Sequence, residues 1–361
     1  MSEVRERVES FNKGVPGVKT MPQIREMLNN EEYDFLRDDP HLGEHVAILG
    51  LGGSYAYGMA KEGSDVDIRG IALNSKEEIL RGTDFEQVVN TETDTTIYSL
   101  KKMVNLLLSN NPNTLEILGL GLDQYIYANF SILKELKELE EAFLSRRVIY
   151  TFGGYSLQQF RRLQSKVARD LGEEQMENHI LDTIGHAEED FKTRFPNIQG
   201  SFKLYVDKAV TEGHTDEIFI DTKADHIPFR EYSKYINEYH GIVRGYDKGD
   251  SKRNKHAASH DKISKHMTHL MRLYYMCFDI LEYHKVITYR KDEHDLLMKI
   301  RLDGFIGEDK QPIPEFFKMV DEAEDKLKRL AKETTLPEEP DYERVYKWLE
   351  SVNERIILGE L

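Results

Sequence analysis

The chain has 361 residues, 39% of them hydrophobic and 32% charged, which is enough apolar sequence for two domains with cores. A formal net charge of −16 argues against a protein that coats nucleic acid with a basic surface, although basic residues cluster locally at 161–169 and 252–272. The single cysteine, Cys277, excludes an internal disulfide, and no apolar run approaches the ~20 residues that span a bilayer. With a charged N-terminus that lacks a signal core, these features predict a cytoplasmic protein with no membrane partner.

Residues 1–44 carry two weak helical patterns, near 22–29 and 31–37. Pro40 and Gly43 interrupt the chain just before the first strand. We therefore expect this segment to form a helical cover on the sheet that follows, without chemistry of its own.

The stretch from residue 45 to 73, HVAILGLGGSYAYGMAKEGSDVDIRGIAL, predicts a strand, a tight turn, a short helix, a loop and a second strand. Gly52 and Gly53 lack a Cβ, so the chain can turn sharply into Ser54 and approach a ligand closely. A helix that starts at this turn directs its first N–H groups toward it, an arrangement that suits a phosphate.

Two aspartates, Asp65 and Asp67, follow this turn in the sequence DVDI. In an extended segment they share one face, and Val66 and Ile68 take the other. Two close carboxylates repel each other unless a cation lies between them, and ligands that are only oxygens suit Mg2+ or Mn2+ better than zinc. The stretch therefore predicts a phosphate-binding turn beside a site for a hard metal ion.

Further elements follow this unit in close succession. Ser75 and Glu78 form a capping box for a short helix, and strands are predicted at 85–90 and 94–98. The sequence from 99 to 109 predicts a helix whose apolar stripe belongs to the core.

The residues Gly53-Ser54, Gly58 and Ser64-Asp65-x-Asp67 match the signature of the DNA-polymerase-β-like nucleotidyltransferases. With the later segments DTTIYSLKKM and NPNTLEIL, the sequence resembles the RNA-ligase-associated, RNA-repair branch of that superfamily, which occurs in bacteria and tailed phages. The resemblance is strong over residues 45–120 and returns weakly near 255–305. It implies an α+β fold with a small mixed sheet as the nucleotidyltransferase core, followed by a mostly helical domain.

The resemblance also implies three carboxylates on adjacent strands, which hold two Mg2+ or Mn2+ ions. Asp65 and Asp67 are two of them, and Asp94, directly before a strand and a helix, is the best third. Glu92 remains the alternative, and Asp94 could also be only the exposed start of its strand. Glu116, within the NPNTLEIL segment, is of interest, although capping of a helix explains it about as well.

From residue 129 onward the pattern is helical almost throughout, with irregular loops expected at 213–228 and 241–254. A long helix over 145–171, interrupted at Gly153-Gly154, carries polar residues that could reach a triphosphate or an acceptor: Gln158, Arg161, Arg162 and Lys166. A solvated helix surface is the commoner role of such residues. Helices are predicted over 256–284 and 292–304, and two more between 312 and 361.

On the helix over 256–284, Lys265, His269 and Arg272 stand at i, i+4 and i+7, which places them on one face. Their sequence context, KHMTHLMRL, resembles the family pattern, so we expect these three residues to bind a nucleotide. The alternative is that both cations are surface charges and the histidine is a structural helix residue.

The resulting prediction is a nucleotidyltransferase domain in residues 1–125, with 1–44 as its cover, and a helical domain in 126–361 that closes the nucleotide cleft. By resemblance, Gly53 and Ser54 hold the triphosphate of an NTP, and a nucleoside monophosphate passes to an acceptor with release of pyrophosphate. An RNA end is the favoured acceptor. The alternatives are an enzyme that modifies a protein or a small molecule, and a non-catalytic nucleotide-binding or antitoxin-like module.

Overall fold

The computed structural model describes residues 15–153, 156, 200–208, 210, 216–224, 228–230, 232–233, 261–308 and 311–361. Four polar residues of the predicted long helix, Gln158, Arg161, Arg162 and Lys166, lie outside these ranges, as does the loop predicted at 241–254. In the described part of the chain, no helix is both long and apolar enough to cross a membrane.

A five-stranded mixed sheet forms the core of the N-terminal region. Its strands are β1 Val46–Leu51, β2 Ile68–Ala72, β3 Gln87–Asn90, β4 Thr95–Ser99 and β5 Tyr125–Ala128. The spatial order is β3-β4-β2-β1-β5, and only the β2–β4 pair is parallel. The structure thus confirms the predicted α+β class, with the first four strands near their expected positions.

The fifth strand, β5, was not predicted from the sequence. Its four residues, YIYA, are too few to show a period, and they become a strand because they pair with β1 at the edge of the sheet. Strand β1 is buried along its whole length, and in β2 only Arg69 is half-buried. This burial explains why both strands are rich in apolar residues.

The described part of the N-terminal segment, from residue 15 to 44, contacts the edge strand of the sheet. Helices α1 Met21–Met27 and α2 Phe35–Asp38 lie in it. Arg25 on α1 donates from Nε to the carbonyl oxygen of Ile126 in β5, over 3.1 Å. This bond satisfies a main-chain acceptor on an edge strand, which otherwise presents unpaired groups.

The connections between strands carry short helices: α3 Gly53–Ala56, α4 Lys76–Arg81, α5 Leu100–Leu108, α6 Pro112–Leu115, α7 Phe130–Glu138 and α8 Glu140–Phe143. Ser75 caps α4 in the predicted capping box with Glu78. The apolar stripe of α5 is buried as expected, at Leu100, Met103, Val104, Leu107 and Leu108.

Contacts divide the chain into two compact units. The first comprises Met1–Gln159, Met267–Phe305 and Ile313–Leu361, and the second Phe160–His266 and Ile306–Pro312. This division differs from the boundary placed between residues 125 and 126, because β5 completes the sheet and the C-terminal helices return to the first unit.

An antiparallel hairpin lies in the second unit, with β6 Gly200–Lys208 paired to β7 Asp216–Ala224 in a continuous register. The expectation of helix at 200–208, and of an irregular loop over 213–228, is therefore wrong. The segments SFKLYVDK and DEIFIDTK alternate apolar and polar residues over part of their length, which is a strand pattern.

Four helices form the C-terminal part, as predicted: α9 Asp261–Tyr283, α10 His294–Arg301, α11 Pro314–Glu333 and α12 Tyr342–Leu358. On α12, Trp348 and Arg355 both donate to the carboxylate of Glu135 on α7, over 2.6–2.9 Å. Val345 of α12 is buried, which agrees with the expected packing of this helix on the body of the protein.

Candidate active site

The predicted phosphate-binding turn and one of the predicted metal-binding aspartates are in direct contact. Gly53 has φ = +52°, and a Cβ built on it would lie 1.8 Å from Oδ2 of Asp67. The N–H of Gly52 donates to the carbonyl oxygen of Asp67 over 2.8 Å, which extends the β1–β2 pairing by one residue. Only glycine therefore fits at position 53, both because of its backbone conformation and because the carboxylate occupies the space.

Asp65 and Asp67 lie in the extended segment that leads into β2, which itself begins at Ile68. Burial alternates as predicted: Asp65 is exposed and Asp67 half-buried, whereas Val66 and Ile68 are buried. The two carboxylates thus share the face that is turned away from the core.

Asp94 lies beside Asp67 by strand register. Ile68 of β2 pairs with Thr95 of parallel β4, so Asp67 and Asp94 each occupy the position just before this pair. The N–H of Ile68 donates to the carbonyl oxygen of Asp94 over 3.2 Å. The alternative, Glu92, lies two residues earlier in the β3–β4 turn, so the register favours Asp94 as the third carboxylate.

The structure does not gather the three aspartate side chains into one cluster. Within the described ranges, no group of three or more Asp, Glu, His or Cys side chains has the arrangement of a metal site. The structure does place the Asp67 side chain against the turn at Gly53. It also places the backbone of Asp67 beside that of Asp94.

A second set of polar residues, not predicted as a group, surrounds Tyr57. The O–H of Tyr57 donates to Oε1 of Glu116 over 2.9 Å. The guanidinium of Arg272, from α9, stacks on the Tyr57 ring with its Cζ 3.7 Å from the ring centroid. Because Arg272 can only donate, its Nη2 contact of 3.0 Å with Nδ1 of His269 requires that this ring nitrogen accept.

These contacts place His269 and Arg272 close to the Gly53 turn, since Tyr57 follows directly after α3, the helix that begins at this turn. Arg272 is buried, and its Nε has no hydrogen-bond partner among the residues that are described. Lys265 is exposed on the first turns of α9, in the part of that helix that belongs to the second unit.

Electrostatics connect Glu116 to the aspartates. Burial raises the pKa of the Glu116 carboxyl, while the charge of Arg272, the hydrogen bond from Tyr57 and the charge of Arg69 oppose this rise and the charge of Asp67 adds to it. The pKa of Tyr57 is raised well above its usual value, chiefly by burial and then by the Glu116 charge, so the phenol stays a hydrogen-bond donor.

The segment before α10 holds this second set in place. Thr288 donates from Oγ1 to the carbonyl oxygen of Glu116 over 2.8 Å, and the N–H of Arg290 contacts the carbonyl oxygen of Tyr57 over 3.5 Å. A Cβ on Gly58, whose φ is +73°, would lie 2.3 Å from the ring of Tyr289. The segment around ITYRK, which resembles the family in sequence, thus packs directly behind the candidate site.

Sequence reasoning did not assign Tyr57 or Arg69 to the site and left Glu116 undecided between function and helix capping. Glu116 is indeed the C-terminal cap of α6, and it also bonds Tyr57. Arg69 could have been found, because it stands two residues after Asp67 and so shares its face in an extended chain.

The structure thus contains a mixed sheet with a Gly-Gly-Ser turn directly after β1 and an Asp-x-Asp segment directly before β2, which is the arrangement that the sequence resemblance implies. Comparison with known families agrees: residues 40–175, over a third of the chain, match the model of the RNA repair pathway DNA polymerase beta family. This match confirms the family resemblance seen in the sequence. No curated protein and no solved structure gave a significant match to the chain.

Proposed function

We propose that this protein is a metal-dependent nucleotidyltransferase, which moves a nucleoside monophosphate from an NTP to an acceptor hydroxyl or phosphate and releases pyrophosphate. The observation that carries this proposal is the contact between the Gly53 turn and the Asp67 carboxylate, beside the register position of Asp94. A phosphate group on the turn would thereby lie next to carboxylates that can hold a cation.

The donor atoms of the three aspartates suit a hard divalent cation. The candidate ligands, Asp65, Asp67 and Asp94, supply only oxygen atoms, as Mg2+ and Mn2+ prefer. Divalent ions bound by these aspartates would neutralise charge on the transferring phosphoryl group and would favour ionisation of the attacking group.

The protein's own groups would orient the two reactants. Main-chain N–H groups at Gly53 and Ser54, which begin α3 and so lack partners within that helix, would donate to the triphosphate, together with the Ser54 hydroxyl. Asp94, exposed at the end of its turn, would accept the proton of an acceptor hydroxyl.

The three proposed nucleotide-binding residues of α9 differ in how deeply they are buried. Arg272 is buried against Tyr57, so it would act mainly by its positive charge. His269 lies beside it and is only half-buried, which leaves it a path to a bound nucleotide. Lys265 remains the third proposed nucleotide-binding residue of this helix.

We favour an RNA end as the acceptor because the matching family is described by an RNA repair pathway. The net charge of −16 supports a second candidate, transfer to a protein or small molecule, since an acidic surface repels a long polyanion. The presence of all three aspartates favours either enzyme over a non-catalytic nucleotide-binding or antitoxin-like module.

Acceptor choice can be measured with each NTP labelled at the α-phosphate. The wild type and Asp65→Asn are incubated with Mg2+ or Mn2+ and, in turn, RNA ending in a hydroxyl, RNA ending in a phosphate, cell protein, or no acceptor. We expect label on RNA with the wild type only. Label on protein or a small molecule would favour the second candidate, and no label with any NTP and acceptor would contradict the proposed activity.

A further inference from the structure

Asp94 has a backbone conformation that few residues other than glycine adopt. Its φ is +47°, and it ends the four-residue turn between β3 and β4. The turn before it is held by the Asn90 side chain, which accepts from the N–H groups of Glu92 and Thr93. A residue of this kind needs surrounding contacts that maintain its conformation.

Arg69 supplies such a contact. Its Nη1 donates to the carbonyl oxygen of Asp94 over 2.8 Å and to that of Ile68 over 3.0 Å. The Asp94 carbonyl also accepts from the N–H of Ile68, so both of its lone pairs are used. One guanidinium nitrogen of Arg69 thus links the backbone of Asp94, just before β4, to the backbone of Ile68, the first residue of β2. Asp67 directly precedes this linked residue of β2.

Arg69 is itself held close to the phosphate-binding turn. It stands two residues after Asp67, and a Cβ built on Gly52 would lie 3.3 Å from its Cγ. Its side chain is half-buried, so the guanidinium is not a freely moving surface group. The arginine therefore has a fixed place between the turn, Asp67 and the backbone of Asp94.

We propose that Arg69 is a positioning residue, which fixes the backbone of Asp94 and thereby places the Asp94 carboxylate beside Asp67 for metal binding. This inference rests on the proposed function. Arg69 would then act on metal binding by way of Asp94, and its guanidinium would not itself bind the triphosphate.

Binding of Mn2+ by the nucleotide-free protein, followed by electron paramagnetic resonance, tests this inference without any assay of activity. We expect Arg69→Ala to weaken Mn2+ binding by about tenfold, as loss of a group that orients a metal ligand does. Asp94→Asn should weaken it at least as much, and the double variant should bind no more weakly than Asp94→Asn, because Arg69 acts through Asp94.

Arg25→Ala is the matched control, since Arg25 also donates to main-chain carbonyls, those of Ile126 and Tyr125, at the edge strand β5. Its Mn2+ binding should equal that of the wild type. If Arg69→Ala does not fold, as judged by circular dichroism, Arg69→Met gives the same comparison, because it keeps a long side chain but has no donor.

The kinetic constants separate positioning from direct binding. A positioning role predicts a lower kcat for Arg69→Ala with a KM for NTP within about twofold of the wild type. A raised KM with unchanged kcat would overturn the inference, as would unchanged Mn2+ binding in Arg69→Ala when Asp94→Asn weakens it. Failure of the wild type to bind Mn2+ would instead contradict the proposed function, and the inference with it.

Discussion

The carboxylate of Asp67 lies against the α-carbon of Gly53, so close that a Cβ there would come within 1.8 Å of Oδ2. Two motifs that are separate in sequence therefore form one continuous surface. Glycine at position 53 meets two requirements at once, a left-handed backbone and space for the carboxylate.

Substitution of Gly53 should abolish transfer and should also lower the stability of the fold. Gly53→Ala places a methyl group where Asp67 Oδ2 now lies, so the carboxylate must move, and transfer should be lost. The left-handed backbone should also cost about 1–2 kcal/mol in the free energy of unfolding, which urea denaturation can measure.

Gly63→Ala is the control for this substitution. Gly63 has φ = +76°, but a Cβ there would meet nothing within 4 Å. It should lose a similar amount of stability and keep its activity. Equal activity of both variants would contradict the functional contact between Gly53 and Asp67.

Thermal stability should report binding of the metal together with the nucleotide. NTP with Mg2+ should raise the melting temperature of the wild type, and at about 100 times Kd the stabilisation would be about 2.7 kcal/mol. NTP with a chelator should stabilise much less, because the negative charges of the triphosphate and of Asp65 and Asp67 would repel each other without a metal ion between them. The same shift with and without chelator would count against the metal-dependent site.

The two cations of α9 should differ in their effect on stability. Arg272 is buried and stacked on Tyr57, so Arg272→Ala should cost about 2 kcal/mol or more in the free energy of unfolding, as well as weakening nucleotide binding. The buried position of Arg272 therefore excludes the alternative that this cation is only a surface charge.

Lys265→Ala serves as the comparison on the same helix. Its side chain is exposed, so its loss should change stability by no more than about 0.5 kcal/mol while it weakens nucleotide binding. If the double variant Lys265→Ala/Arg272→Ala had the stability and the Michaelis constants of the wild type, α9 would not be part of the nucleotide-binding site.

Stability should depend on pH through Glu116. The pKa of this carboxyl is raised above its usual value of 4.5, mainly by burial, so the folded protein binds the proton more tightly than the unfolded chain. Stability is therefore lost as the pH rises from 4.5 through the raised pKa. Glu116→Gln cannot ionise and should gain stability relative to the wild type as the pH rises through this window.

Urea denaturation of the metal-free protein at several pH values measures this difference. The same measurement on Glu77→Gln, at an exposed position on α4, controls for the loss of a surface carboxylate. A wild-type to Glu116→Gln difference that stays constant with pH would show that ionisation of Glu116 does not affect folding.

Local signals account for the part of the fold that the sequence predicted. The alternation of Asp65, Val66, Asp67 and Ile68, the Ser75 capping box and the buried stripe of α5 all depend on neighbours close in sequence. The turn at Gly53 is of the same kind, because a left-handed residue followed by a short helix is encoded locally.

Other features depend on partners far along the chain. The stack of Arg272 on Tyr57 joins residues that no spacing rule connects, and β5 is a strand only because it pairs with β1. The β6–β7 hairpin is a different case, since its alternation was present in the sequence, and the surrounding helical patterns led to the wrong prediction.

Transfer of α-labelled nucleotide, with pyrophosphate release measured in parallel, tests the central claim most directly. The wild type should transfer label, as should Asp325→Asn, which alters an exposed aspartate on α11. Asp67→Asn keeps the shape of the side chain but not its charge, and its rate should fall by about a hundredfold or more. Transfer by Asp67→Asn at the wild-type rate would contradict the assignment of the active site to the Gly53 turn and its aspartates.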